Sequence, residues 1–320
     1  MMKDEVRRLV SILLFTALAA QLATGAQAPA PHYRAYDAKG HAVTLQAIID
    51  SLEDADVLFV GETHDDAVAH LLEAELLRRA DETYGPASTR RRAVALSLEM
   101  FERDVQTVLD EYLAGLITER HFLLSSRPWS NYETDYRPLI EYAREHRLPV
   151  VAANAPARYV SRVSSQGADS LRALPQVAVK SWLPPLPFPA ASEGYAAKFN
   201  RFMGGAAPAP PAGASATAQA NPHGGLHLLE AQTLRDASMA YAISEYLKHG
   251  RDPLVVQVNG TFHSEERMGV PEQLARYRSK ARAVVVNIVP ADTFPNFDAA
   301  THARLGDFVI ITERVLGAGF

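Results

Sequence analysis

Short, unbroken apolar runs constrain this chain more than any other feature. Val57-Leu58-Phe59-Val60, led in by Asp56, lacks the alternation of a half-exposed strand and reads as a strand covered on both faces. Ala93 to Leu98 and Pro149 to Ala153 repeat the pattern. Amphipathic helices separate these runs. Thr44 caps one with Leu45, Ile48, Ile49 and Leu52 on a single face. Asp65 or Asp66 starts a second with Val68, Leu71, Leu72 and Leu76 inward, and Gly85-Pro86 stops it. A third carries Val105, Val108, Leu109, Tyr112 and Leu113 and ends at Gly115, and residues 133–147 form a fourth. Buried strands alternating with helices make βαβ units, hence an α/β fold with a mostly parallel sheet flanked by helices.

The alternation stops at Ala155. Up to about Arg251 no strand pattern occurs, whereas Pro156 to Gln166, Ser192 to Met203 and Leu226 to His249 are helical in pattern. Residues 155–251 therefore read as a smaller all-helical subdomain inserted into a sheet domain made of 33–154 and 252–320. Within it, Ala206 to Ala220 is almost entirely Ala, Pro, Gly, Ser and Thr, too little apolar surface to order itself, and is expected to be a disordered linker. The sheet resumes with Leu254 to Val258, Ala283 to Val289 and Asp307 to Thr312, with a helix starting near Pro271.

Residues 1–25 read as a signal peptide. Lys3, Arg7 and Arg8 precede the apolar stretch Leu9 to Ala20, which falls short of the roughly 20 residues a spanning helix needs. Small residues Ala23, Gly25 and Ala26 follow it as a cleavage region. The expectation is a periplasmic or secreted protein with no integral membrane span after cleavage. The chain has no cysteine, which removes disulfides, thiolate nucleophiles, thiolate metal sites and lipid attachment through a cysteine. A formal net charge of -5 over 320 residues supplies no basic field for nucleic acid.

In parallel sheets, ligands bind beyond the carboxyl ends of the strands, where loops and helix N-termini converge. The run at 57–60 leads into Gly61-Glu62-Thr63-His64, the next into Glu99, the third into Asn154, and the fourth into Asn259-Gly260-Thr261-Phe262-His263. Two Gly-x-x-His motifs thus follow strands, each glycine read as permitting a sharp turn. Glu62, His64, Glu99 and His263 are the candidate catalytic residues and the candidate metal ligands. Two carboxylates about 4 Å apart repel by roughly 4 kcal/mol at an effective dielectric near 20. A shared proton, a histidine cation, an arginine or a divalent metal must offset that repulsion. Two imidazoles with carboxylate oxygens suit Mn, Co or Zn and would favour hydrolysis by a metal-bound water or a glutamate base. There is no Gly-x-Ser-x-Gly elbow and no phosphate-binding glycine loop.

Taken in order, the motifs resemble the ChaN-like haem-binding uptake family of the Tiki/TraB superfamily, which has erythromycin esterases as distant relatives. The resemblance rests on Val60 to Asp65, Ser97 to Asp104, Trp129 with Tyr136-Arg137-Pro138-Leu139, Ala152 to Pro156, Ala231 to Ala240, and Gly260-Thr261-Phe262-His263 with Gly269-Val270-Pro271. It implies a large α/β domain with a smaller helical one, export, and a part in haem or iron acquisition. Haem is then expected at a surface used for homodimerisation, ligated through a tyrosine. In the Tiki branch, metal-dependent proteolysis uses paired Gly-x-x-His motifs and acids, which map onto His64, His263, Glu62 and Glu99. Haem needs an axial ligand, an apolar slot and a partner for its propionates. The candidates here are Tyr132, Tyr136, Tyr195, His223 and His227. Three readings stay open: an exported haem-binding protein, a metal-dependent peptidase or esterase, and a partner-binding α/β protein with a decayed site.

Overall fold

A computed structural model describes residues 32–204, 226–249 and 252–314. The expected signal peptide and Ala/Pro linker lie outside the described residues, as does His223. The described residues from Tyr33 onward form one compact unit. Its strands are β1 (Tyr33–Asp37), β2 (Ala42–Val43), β3 (Val57–Glu62), β4 (Ala93–Glu102), β5 (Val150–Asn154), β6 (Pro253–Gly260), β7 (Ala283–Ala291) and β8 (Phe308–Glu313). They join in one eight-stranded sheet of order β2-β1-β8-β7-β3-β6-β4-β5. The strands from β8 to β5 in that order run parallel, while β1 pairs antiparallel with β2 and β8. The fold is the mostly parallel α/β sheet that the apolar runs predict.

The first helices are α1 (Leu45–Asp50), α2 (Ala67–Tyr84), α3 (Gln106–Leu113), α4 (Glu119–Ser126) and α5 (Arg137–His146). Their starts are set by local chemistry. The Thr44 hydroxyl accepts from the Ala47 N–H at 3.1 Å, and Asp66 Oδ1 accepts from Val68 and Ala69 at 2.9 and 3.2 Å. Every residue of β3 and of β6 is buried, as continuous apolar strands require. Leu58, Val60, Leu96, Leu98, Val256 and Val258 pack on one face with Leu76 and Leu77 of α2 and Leu139 and Ile140 of α5. Each such side chain contributes about 1.5–3 kcal/mol relative to exposure.

The remaining helices are α6 (Ala157–Gln166), α7 (Gln176–Trp182), α8 (Glu193–Gly204), α9 (Leu228–Tyr246), α10 (Val270–Tyr277) and α11 (Ala299–His302). Val57, Phe59, Val255 and Val285 turn to the other face of the sheet, where they meet Met239, Ala240 and Ile243 of α9 and Val270 and Leu274 of α10. Tyr159, Val160, Val163, Leu171, Ala178, Ala231 and Leu234 build a small core of their own. The helical segment thus has a separate core at one end, while the long helix α9 belongs to the sheet's core at the other. Among the described residues no helix is long and apolar enough to cross a membrane.

Three local features depart from the expectation. The strand expected to stop at Leu98 continues to Glu102, with a register shift between Leu98 and Glu102 that places Glu99 inside β4. The β1–β2 hairpin was not signalled by any apolar run: it turns on Asp37, whose Oδ1 accepts from the Lys39 and His41 N–H groups, and on Gly40 at φ 84°. Leu71, expected inward, is 73% exposed, and the buried stripe of α2 instead carries His70 and Glu73.

Candidate functional site

β3 and β6 are adjacent and in register, with Glu62 opposite Gly260, so the two Gly-x-x-His motifs leave the sheet side by side. Neither glycine serves the expected sharp turn. Gly61 lies within β3 and is not at positive φ, and Gly260 has φ -56°. Both are required by close approach. A Cβ on Gly260 would stand 2.9 Å from His64 Cε1 and 3.0 Å from His64 Nε2. A Cβ on Gly61 would fall on Asn287 Oδ1 and 2.7 Å from the Ser264 hydroxyl oxygen.

The four candidate residues meet here as two acid–imidazole pairs. Glu62 is buried, and its Oε1 holds His64 Nδ1 and accepts from the Tyr136 hydroxyl at 3.3 Å. The His64 side chain is 49% exposed and packs edge-on against Trp129. Its hydrogen bond to Glu62 raises its pKa above the ordinary histidine value. His263 is buried; its Nδ1 lies 2.6 Å from Asp236 Oδ1 and its Nε2 3.3 Å from Glu99 Oε1. Burial alone would lower the His263 pKa, but Glu99 and Asp236 outweigh it and raise it to about 10. Burial alone would likewise raise Glu99, yet the His263 charge and the Gly260 N–H, donated at 2.8 Å, hold it down to about 2. Tyr195 closes the chain of contacts by donating its hydroxyl to Asp236 Oδ2.

The pairing leaves Nε2 as the nitrogen each histidine can offer a metal. Carboxylates take the Nδ1 atoms of both histidines, and Glu99 is taken up by His263 and the Gly260 N–H. Among the described residues, the three-residue group whose ligand atoms all lie within 4.8 Å of one another is Glu62, His70 and Glu73. His70 and Glu73 share the buried face of α2 with Leu72 and Leu76, and being polar they fall outside the apolar pattern that marks that face. The signal was present in the i, i+3, i+7 stripe shared by His70, Glu73 and Leu77.

A cleft of about 670 Å³ opens beside the cluster. Val160, Phe199, Phe202, Met203, Leu228 and Phe262 supply its apolar walls; His64, Arg235 and His263 supply polar groups. The haem-ligand candidates are placed unevenly. Tyr132, Tyr136 and Tyr195 are 2%, 0% and 2% exposed. Tyr132 is wedged edge-on between Phe101 and Phe122, and the other two hydroxyls are bound to Glu62 and Asp236, so none presents an oxygen to a porphyrin at the surface. His227 is partly exposed beside Leu228, with its Nδ1 on Glu230 Oε1 at 2.7 Å.

A family described as haem-binding uptake, Tiki superfamily, ChaN, matches residues 48–274. The chain belongs to the ChaN family. The solved structure of ChaN of Campylobacter jejuni, described for cofacial haem binding, matches with TM-score 0.59 at 16% identity, covering 88% of this chain and 97% of that one. The likeness shows that this ChaN-family chain has that fold. An erythromycin esterase in its open conformation matches with TM-score 0.46 at 12% identity, covering 88% of this chain and 83% of that one. Among curated proteins, RETICULATA-RELATED 5, a chloroplastic protein of Arabidopsis thaliana, is 25% identical over 260 residues. The match covers 77% of this chain and 32% of that protein, so the ChaN-family chain spans about a third of the relative's length.

The cleft fits the group its family is described as binding. Haem requires an axial donor, apolar walls and a cation for its propionates. His64 is the exposed imidazole of the cluster, the aromatic and aliphatic walls are continuous with it, and Arg235 stands at the same cleft.

Proposed function

We propose that this chain binds haem in the cleft between β6, α6, α8 and α9, and that it acts in haem or iron acquisition after export. One observation carries the reading: Glu62 fixes His64 through Nδ1 and leaves Nε2 beside Gly260, at the edge of an apolar cleft large enough for a cofactor. A carboxylate on the far nitrogen sets the tautomer and raises the basicity of the metal-facing nitrogen. Arg235 offers a charge-assisted partner for a propionate. Bound there, haem would supply an iron centre, and the chain would supply orientation and exclusion of water.

Titration of the protein with haemin is the test. A saturable Soret shift at micromolar protein is expected, with affinity falling at least tenfold in His64→Ala and in Phe199→Ala. No saturable shift, or a shift indifferent to both substitutions, overturns the reading. Light scattering of haem-free and haem-loaded protein tests the homodimer that the family resemblance implies.

The Glu62–His64 pair also supports hydrolysis, because a carboxylate-oriented, half-exposed imidazole at a cleft is a general-base arrangement worth about 10²–10⁴-fold. Peptide and ester turnover with added Mn, Co or Zn is expected on that reading to fall about 100-fold or more in His64→Ala. Turnover that ignores the substitution removes it.

A further inference from the structure

His70 and Glu73 stand beside Glu62 but do not line the cleft. α2 carries His70 and Glu73 one turn apart on its sheet-facing stripe, and β3 ends in Glu62. The three residues are 6%, 0% and 1% exposed. His70 Nε2 faces two acceptors, the His64 carbonyl at 3.3 Å and Asp135 Oδ2 at 3.4 Å. Nε2 therefore carries a hydrogen, and Nδ1 is the nitrogen turned toward Glu73 Oε1, 3.5 Å away. His70 Nδ1, both Glu73 oxygens and Glu62 Oε2 are all buried without a hydrogen-bond partner.

A buried carboxylate whose oxygens have no hydrogen-bond donor is among the costliest groups a fold can carry. A proton between His70 and Glu73 would satisfy one contact and leave Glu62 Oε2 and one Glu73 oxygen without a donor. A divalent cation satisfies every one of these atoms, and the two carboxylates cancel its charge. We propose that Glu62, His70 and Glu73 form a buried binding site for a divalent transition-metal ion of the Zn or Mn class, with Asp135 and the His64 carbonyl holding His70 in the ligating tautomer. One donor atom from each residue already lies within 4.8 Å of the others. Ligands about 2.0–2.2 Å from an ion stand roughly 3–4 Å apart, so the widest spacing in the cluster closes by about 1–2 Å on loading. Glu62 would then join ion and cleft, since its Oε1 also holds His64. The site does not depend on haem being the occupant of the cleft.

The test uses the full chain, stripped with a chelator and titrated with zinc and with cobalt(II), read by calorimetry and by the visible cobalt spectrum. One ion per chain is expected, with a rise in the thermal midpoint on loading. Glu73→Gln and His70→Gln should each weaken binding at least 30-fold, and Asp135→Asn about 10–100-fold as an outer partner. Glu73→Gln should keep or exceed the metal-free thermal midpoint of the parent, because it removes a buried charge, while losing the rise on loading. His64→Ala, which removes only a hydrogen bond to Glu62 Oε1, should weaken binding less than His70→Gln does. The proposal is overturned by unaltered binding in Glu73→Gln, by loss of binding in His64→Ala but not in His70→Gln, or by no saturable ion at all, which would assign the cluster to a proton.

Discussion

His263→Ala is expected to destabilise the protein by about 3–5 kcal/mol, the range for removing one partner of a buried charged pair. The imidazole sits between Glu99 and Asp236, which are 4% and 1% exposed, and its removal leaves two interior carboxylates with no cation between them. Urea unfolding of both proteins measures the difference. The pH dependence follows from the direction of each shift. His263 is raised from 6.5 to about 10, so its contribution is complete below 6.5 and disappears as pH rises toward 10. Glu99 is lowered from 4.5 to about 2, so its contribution is complete above 4.5 and is lost as pH falls toward 2. The gap between parent and variant should therefore be widest between pH 4.5 and 6.5 and narrow by pH 9. Adding Glu99→Gln to the variant should restore part of the loss, since a neutral amide is cheaper to bury than an unpaired carboxylate. A gap below about 1 kcal/mol, or one that is flat with pH, would show that the cluster is held by something other than this pair.

Gly61→Ala is expected to cost about 3–4 kcal/mol, although it adds one methyl group to a strand. The new Cβ lands on Asn287 Oδ1 and 2.7 Å from the Ser264 hydroxyl oxygen, and neither group is free to move. Asn287 Oδ1 accepts from Ser264 at 3.1 Å, and Ser264 accepts from Asn259 at 3.0 Å, all three residues being 0% exposed. Overpacking costs about 1–3 kcal/mol, and each buried hydrogen bond that is broken adds about 1 kcal/mol. Thermal unfolding should show the loss. The double variant with Asn287→Ala should be less destabilised than the sum of the two single changes, because the collision is then gone. Additive losses would locate the cost elsewhere.

These two residues illustrate what a linear reading captures. Gly61, Glu62, His64, Gly260 and His263 stand out in sequence because they follow apolar runs, and register pairing of β3 with β6 brings the motifs together. The reason for each glycine was not legible. It lies in a side chain more than 200 residues away for Gly61, and in the His64 ring for Gly260. Asp236 lies in the Ala231 to Ala240 motif, but its pairing with His263 is set by the fold, since α9 packs on the sheet face opposite α2. Tyr132, Tyr136 and Tyr195 suit haem ligation by residue type. Their hydroxyls turn inward because the rings fill the aromatic core around Phe101 and Phe122 or meet buried acids.

Apolar runs without alternation, side-chain caps at Thr44 and Asp66, and polar residues at strand ends are local properties. Short-range sterics and hydrogen bonding are sufficient to specify the parallel α/β sheet and the edge at which chemistry gathers. Which polar residues α2 buries, which acid meets which imidazole, and which donors are left unpaired depend on contacts between segments remote along the chain. Only packing settles those, because the free energy of burying His70, Glu73 or His263 is decided by what the rest of the fold places beside them.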